Sequence, residues 1–446
     1  LCLRSRIAET AADLSPHARR LLGLLAAVDA AQLPGWAPRV AFGDVRGESA
    51  VDELVSAHLV QTAGRSYAVP PLVREFAAGH VDGTDAVRRV LGGWLHLVDL
   101  AHKADYGGDF TVVRGHAHRE VVRPGPELLA EPLAWLESER VNLGEAVALA
   151  AAAGLDEQAW ELAHRLVTLF EHRADHEGWL RTHDLALAAT EKAGNARGSA
   201  VLRCSLASLH ISQSRFDLAH ELTVAAKDVF EDLGDLAGLG IAYRNLGVVS
   251  RSSDDLAGAR RWDRRALAAF ERTGDRVGQA TVLQNLAQVD LCRNDLRGAF
   301  DRLEAALRVC GDAGPARVRA QIRHRLGEVL FAQGRHDQAF DVLTEALGLV
   351  RGVRDRRGES FVLHLLGRTE FARGRLGSAR TLLQESAAIC DATFDVVNAA
   401  RSRLELVHVL RAGGDDVLAD EVEAGARAVY AEFGLETLDG DMIFRA

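Results

Sequence analysis

The chain has 446 residues, 48% hydrophobic but only 6% aromatic, with a formal net charge of −10 and a sequence pI near 6.0. An acidic balance of this size argues against a polyphosphate partner for the chain as a whole, because non-specific nucleic-acid binding rests on a basic surface. No run of about 18 apolar residues and no opening signal segment is present, and Cys2, Cys204, Cys292, Cys310 and Cys390 share no CxxC spacing, so a soluble protein of the reducing cytoplasm is expected, without disulfides or a zinc knuckle.

Lysine stands only at positions 103, 192 and 227, and the sole methionine is Met442, so the chain is expected to be a piece of a longer protein. In chain order, residues 14–80 come first. They hold an apolar helix at 16–28, a second around 36–41, a third at 48–58, and two short runs, 59–61 and 67–69, flanking Ala63-Gly64-Arg65. Three helices and a hairpin make a winged-helix order, expected to fill 1–83. A DNA-reading third helix would be basic. This one carries Glu48, Asp52 and Glu53 and no Lys or Arg, which repels phosphate and implies a structural role.

Residues 84–160 read as a helical linker interrupted by a loop at 106–126. The pairs His116-x-His118 and His172-x3-His176 have no acidic or cysteine partner at matching spacing, so no metal site is expected.

From 161 to 446 the chain repeats. Leucine recurs every forty residues at Leu206, Leu246, Leu286, Leu326, Leu366 and Leu406, and alanine follows thirteen places later at Ala219, Ala259, Ala299, Ala339, Ala379 and Ala419. Within one period, apolar residues at intervals of three and four mark one face of a helix on each side of a polar break. Breaks such as Ser253-Asp254-Asp255 and Arg293-Asn294-Asp295 suit a helix start, and Gly234-Asp235, Gly274-Asp275 and Gly314-Pro315 suit the join between units. The alanines let paired helices approach closely. Phe230, Phe270, Cys310, Val350, Cys390 and Tyr430, twenty-four after each leucine, are expected to plug the contact with the next unit. A degenerate unit at Leu166, with Trp179 in the alanine place, is expected to cap the stack.

This pattern resembles the tetratricopeptide repeat, through Leu246-Gly247, Leu326-Gly327, Leu366-Gly367 and the small residues that follow, although the period is 40 where that family usually has about 34. The expected fold class is therefore all-α: a tetratricopeptide-like helical solenoid of 40-residue units starting near 206, 246, 286, 326, 366 and 406, preceded by a small winged-helix domain and a helical linker. In such a register, residues two before and two after the leucine line the concave groove. These are Arg244, Gln284, His324 and His364, then Gln288, Glu328, Arg368 and His408, with Arg251 and Arg411 at the edge. The face is polar with a positive bias, suited to an acidic partner or carboxylate. Asn245, Asn285 and Arg325 resemble part of a peptide-carboxylate clamp, without its lysines. The run Arg317, Arg319, Arg323, Arg325 spreads around a helix as a solvated face does.

Two further segments, residues 14–22 (LSPHARRLL) and 134–143 (AWLESERVNL), together with the repeats, resemble the C-terminal half of large actinobacterial regulators of antibiotic biosynthesis of the SARP type, and related signal-transducing NTPases. The resemblance implies an upstream DNA-binding and activation region and an NB-ARC-type ATPase whose winged helix leads into a tetratricopeptide sensor. No G-x-x-x-x-G-K-[ST] loop occurs here, so no cofactor is expected in this fragment, ATP or ADP belonging to the upstream NTPase domain. Pro70 and Pro71 stand where the family often has a phosphate-approaching His-Asp pair. With no G-x-S-x-G elbow or HExxH motif either, the chain is not expected to be an enzyme. The expected function is a sensor module that binds a peptide, protein segment or small effector in the groove and controls its own upstream domains, with no direct nucleic-acid or membrane contact. An oligomerisation or autoinhibitory scaffold, such as a homo-oligomer, is the alternative.

Overall fold

The computed structural model describes residues 3–28, 32–106, 111–173 and 175–433. Cys2, Met442, residues 107–110 of the expected loop and the side chain of His172 lie outside the described residues. The chain forms two compact units, Leu1–Asn245 and Leu246–Ala446. The boundary falls inside a helix, so the repeats up to Asn245 belong with the front half, whereas the change of rhythm in the sequence stands near 160.

The first unit opens with α1 (Leu3–Ala12) and α2 (Pro16–Val28). Ser15 starts α2, its Oγ accepting the Ala18 N–H at 3.2 Å, while Pro16 sits at the first helical position, where a missing N–H costs nothing. Then come β1 (Leu33–Pro34), α3 (Ala37–Phe42), α4 (Arg46–Ser56), β2 (Gln61–Ala63) and β3 (Ser66–Ala68). The strands form one antiparallel sheet in the order β1-β3-β2, and Gly64, at φ 61°, supplies the left-handed residue of the tight turn. The three expected helices and the hairpin are all present, with strands shifted by up to two residues; β1 was not anticipated. On α4, Glu53 accepts from the Ser15 N–H at 2.7 Å and from Ser15 Oγ at 2.6 Å, so one of its acids fastens α4 to the start of α2.

Beyond α5 (Pro71–Ala77) runs the long α6 (Thr84–Tyr106), then a described stretch without regular structure from 111 to 125, and α7 (Pro126–Ala130), α8 (Pro132–Ser138) and α9 (Arg140–Ala152). The irregular stretch is strapped down. Downstream, α10 (Asp156–Arg165) contributes Glu157, which accepts the His116 N–H at 2.8 Å, and Glu161, which accepts the Ala117 N–H at 3.0 Å and Arg119 Nη1 at 2.9 Å. Asp99 on α6 holds Arg119 Nε at 3.1 Å and Arg165 Nε at 2.7 Å. The His118 ring pairs with Glu120 at 3.2 Å.

After α11 (Val167–Arg173) the helices alternate regularly: α12 (His176–Ala193), α13 (Ala196–Ser212), α14 (Phe216–Leu233), α15 (Leu236–Ser252), α16 (Leu256–Thr273), α17 (Arg276–Cys292), α18 (Leu296–Cys310), α19 (Ala316–Ala332), α20 (His336–Gly352), α21 (Arg356–Ala372), α22 (Leu376–Ala392), α23 (Val396–Ala412) and α24 (Asp416–Glu432). This is the expected all-α solenoid of forty-residue helical hairpins. The unit at Leu166 departs from expectation as a cap: its first helix is split into α10 and α11, and α10 packs on α6 and α9, so that Glu161 and Arg165 are buried where a cap would show a wet outer face. Trp179 is accommodated in the alanine place, donating Nε1–H to Ser205 Oγ at 3.1 Å.

In the second unit, α16 to α24 each pack on the next, and the first helices α17, α19, α21 and α23 also touch in series. Ala259, Ala299, Ala339, Ala379 and Ala419 are all fully buried, as the close approach of paired helices requires. The caps repeat as well. Asp255, Asp275, Asp295 and Asp355 each accept the N–H of the glycine three residues on, at 2.7–2.9 Å. One left-handed residue stands eight places after every leucine: Ser214 and, in the second unit, Asp254, Asn294, Gly334, Gly374 and Gly414. The plug residues Phe270, Cys310, Val350 and Cys390 are buried; a Cβ at Gly278, on the next helix, would meet the Phe270 ring at 2.7 Å.

Candidate ligand-binding face of the repeats

The predicted groove residues divide between the two units. In the first, Arg244 is half-buried and its Nη2 donates to Asn245 Oδ1 at 3.3 Å. Asn245 itself is buried, its Nδ2 donating to the Cys204 carbonyl at 3.1 Å and to Ser208 Oγ at 3.0 Å. The clamp expectation is corrected here: Asn245 spends its donors tying α15 to α13 and has none to offer a carboxylate.

In the second unit the face is carried by α17, α19, α21 and α23. Gln284 and Asn285 are half-buried, Gln288 is buried, and Asn285 Nδ2 is buried without a partner. Glu328 is buried and pairs at 2.9 Å with Arg325 on its own helix, a contact that neutralises both. Arg368 pairs with Glu405 of α23 at 3.1 Å, and its guanidinium lies 5.0 Å from the centre of the Phe331 ring. His408 is exposed, and Arg411, also exposed, turns toward α24, where it pairs with Asp420 at 3.0 Å and Glu423 at 2.6 Å.

His364 is only 7% exposed, and its Nδ1 lies 3.1 Å from Ser402 Oγ. Ser402 Oγ is 3.0 Å from Ser386 Oγ, which donates to the Ser360 carbonyl at 2.8 Å. Ser386 has one hydrogen, and it goes to the carbonyl; Ser402 must then donate to Ser386 and accept from His364, which places the imidazole hydrogen on Nδ1. His364 Nε2 is left as a buried lone pair with no partner. Burial, then the charges of Arg401 and Arg368, push the His364 pKa well below 6.5, and burial chiefly lowers that of His324. Both imidazoles are neutral at pH 7.

Sequence reasoning missed Arg401, five places before Leu406. The equivalent positions in the second unit are Thr281, Gln321 and Phe361, so a charge in an otherwise neutral series was the available signal. Among the described residues, Arg401 and Arg251 have no ion-pair or hydrogen-bond partner for their guanidinium groups; burial and, next, the charge of Arg325 lower the Arg251 pKa. The arginine run, by contrast, is spent on pairs: Arg317 with Asp355 at 3.2 Å, Arg319 with Asp312 at 3.6 Å, Arg323 with Glu345 at 2.8 Å. Cys204, Cys310 and Cys390 are buried fillers, burial pushing the Cys204 thiol up to about 12 and raising Cys310 and Cys390. Among the described residues no group of three or more His, Cys, Asp or Glu could hold a metal ion, and no helix is long and apolar enough to cross a membrane. The first unit also has a cleft of about 1210 Å³ lined by Trp36, Trp94 and Trp135, with the Arg65–Glu127 pair at 2.8 Å on its wall.

The tetratricopeptide repeat model matches residues 238–311 and 318–392. No curated protein matches the chain. Among solved structures, a signal transduction ATPase with numerous domains carrying a tetratricopeptide repeat sensor, from Pyrococcus horikoshii, is similar over 97% of this chain and 66% of its own, with a TM-score of 0.57 at 14% identity. The chain thus spans about two thirds of that protein's resolved length. The apo form of the quorum sensor NprR from B. thuringiensis aligns over 68% of this chain and 93% of its own (TM-score 0.43, 10% identity), and a Rap protein complexed with competence and sporulation factor over 75% and 99% (TM-score 0.42, 11% identity).

Proposed function

We propose that the chain is the sensor part of a signalling regulator, in which the first-helix face of the repeats receives an effector and passes the event to domains outside this chain. The effector is a peptide, a protein segment or a small ligand. The observation that carries this reading is that the first helices of successive repeats carry Arg251, Asn285, His364 and Arg401, shielded groups with polar atoms that have no partner among the described residues. Such groups are costly in a packed stack, and a bound ligand relieves that cost.

In this reading residues 1–83 are a winged-helix domain closing an NB-ARC module, in keeping with the helix and strand order at 16–68. The fold likeness to a sensor-bearing signal transduction ATPase extends over both units and supports such an arrangement. The segments 14–22 and 134–143 extend it to a cytoplasmic regulator of the SARP type, with nucleotide and DNA handled upstream. Catalysis has no part in this reading: Cys204, Cys310 and Cys390 are buried, their pKa values raised by that burial, and the sequence has no phosphate loop.

The test is to titrate the full chain with peptide and metabolite pools by calorimetry and repeat each hit on Arg251→Ala combined with Arg368→Ala. Binding at the face predicts at least about a tenfold loss of affinity; unchanged affinity places the site elsewhere. A second reading, a self-assembly or autoinhibitory surface, draws on exposed apolar residues of second helices, Leu218 on α14 and Val417 on α24. Molecular mass that rises with protein concentration would favour it.

A further inference from the structure

Three arginines and two glutamates stand on the consecutive first helices α19, α21 and α23. Glu328 answers Arg325 at 2.9 Å and Glu405 answers Arg368 at 3.1 Å, while Arg401 has no counter-ion among the described residues. Arg401 stands one turn before Glu405 on α23 as His364 stands one turn before Arg368 on α21, and since Glu405 pairs with Arg368 at 3.1 Å and Ser402 lies 3.1 Å from His364 Nδ1, Arg401 belongs to the face of α23 turned to His364. This leaves one net positive charge, half-buried, beside two neutral imidazoles.

His364 adds a second and independent demand. The serine chain from Ser360 through Ser386 and Ser402 fixes its hydrogen on Nδ1, so Nε2 is an acceptor, in a residue 93% removed from solvent, with nothing to accept from. The neighbouring arginines are donors, but neither makes a hydrogen bond to it. One ligand group meets both demands if it has a charged oxygen for Arg401 and an O–H for Nε2. A monohydrogen phosphate has both; so has a 2-hydroxy carboxylate. A plain carboxylate or a sulfate has only the first.

We infer that the face between Arg401, Arg368, His364 and His324 is a binding site for an oxyanion that also carries a hydroxyl, the head of a small phosphorylated or hydroxy-acid effector. The inference rests on the reading of this face as the effector site and gives that effector its chemistry. Arg401 supplies a charge-assisted bond, Arg368 shares its guanidinium between Glu405 and the ligand, and His364 selects for the hydroxyl.

The test is calorimetry on the full chain with inorganic phosphate, lactate, sulfate and acetate, whose arms separate phosphorylated from hydroxy-acid sources and hydroxyl-bearing from plain anions. Phosphate or lactate should bind at least about tenfold more tightly than sulfate or acetate. Arg401→Gln should weaken the bound anion by about tenfold or more, Arg401→Lys by less, and Arg308→Gln, on the exposed face of α18, not at all. His364→Phe should erase the preference for phosphate over sulfate. Equal binding to wild type and to both Arg401 variants, with folding verified by circular dichroism, overturns the inference. So does the absence of any anion binding up to about 10 mM; if a neutral hit from the pools is then weakened by the paired Arg251 and Arg368 substitutions, the effector face stands and only its proposed chemistry falls.

Discussion

Gly327 and Gly348 lie inside helices of the same hairpin, α19 and α20, and alanine should have opposite effects at the two positions. Replacing an interior helical glycine by alanine stabilises by about 0.8–1.0 kcal/mol through backbone entropy, and that contribution is common to both. The surroundings differ. A Cβ at Gly348 meets nothing within 4 Å, whereas at Gly327 it falls 2.6 Å from Leu343 Cδ2 and Cγ, and Leu343 is fully buried. Carbon contacts prefer about 3.5–4.0 Å, so Leu343 must retreat by about 1 Å into a packed interior, at an overpacking cost of about 1–3 kcal/mol. Gly348→Ala is therefore expected to gain about 1 kcal/mol and Gly327→Ala to lose up to about 2 kcal/mol. Urea unfolding followed by circular dichroism reads both as shifts in midpoint at constant slope. If Gly327→Ala stabilises as much as Gly348→Ala, the close approach of the paired helices does not limit the side chain at this position, and the account of the small residues fails with it.

Asp99→Asn should destabilise the first unit by about 3–5 kcal/mol, since it leaves Arg165, buried, and Arg119 facing a neutral amide. Burial raises the Asp99 pKa, but the charges of Arg165 and Arg119 outweigh it, so the folded value lies below the usual one. Its stabilisation is present above about pH 4 and drains away as pH falls below that, which an acid titration of wild type against Asp99→Asn will show. His183 titrates in a different window: burial pulls its pKa from 6.5 to about 3, so as pH drops below 6.5 the unfolded chain takes up the proton first and stability declines by up to about 1.4 kcal/mol per pH unit. His183→Asn should remove that slope. Asp275→Ala, which deletes the cap on Gly278 N–H at 2.7 Å, should cost about 1 kcal/mol and shift the urea midpoint accordingly.

The hairpin stack was legible because its signals are local and repeated. Leucine and alanine at fixed offsets, and the aspartates and glycines that stand at many of the helix starts and joins, all act within one or two turns of chain. The front helices were legible for the same reason, Ser15-Pro16 announcing α2 and Gly64 the hairpin. The strap of residues 111–123 was not, because Glu157, Glu161 and Asp99 meet it from 20 to 45 positions away along the chain. For the candidate face, the offsets from leucine picked out His364 and Arg368, which the structure sets against Ser402 and Glu405 of the next first helix, whereas Asn245 is tied to α13 and Arg411 to α24. Asn245 is claimed by Cys204 and Ser208 of the preceding hairpin, which a position within one period does not record, and Arg411 by Asp420 and Glu423 on the second helix of its own hairpin, which the leucine offset alone does not weigh.

The left-handed residue eight places after every leucine recurs whether it is serine, aspartate, asparagine or glycine. A fixed point of this kind makes one full period the natural quantum of editing. Excising or duplicating forty residues anywhere in the second unit would bring an equivalent leucine, turn and cap back into register at the seam, whereas a deletion of any other length would set a helix interior against a turn and open the stack there.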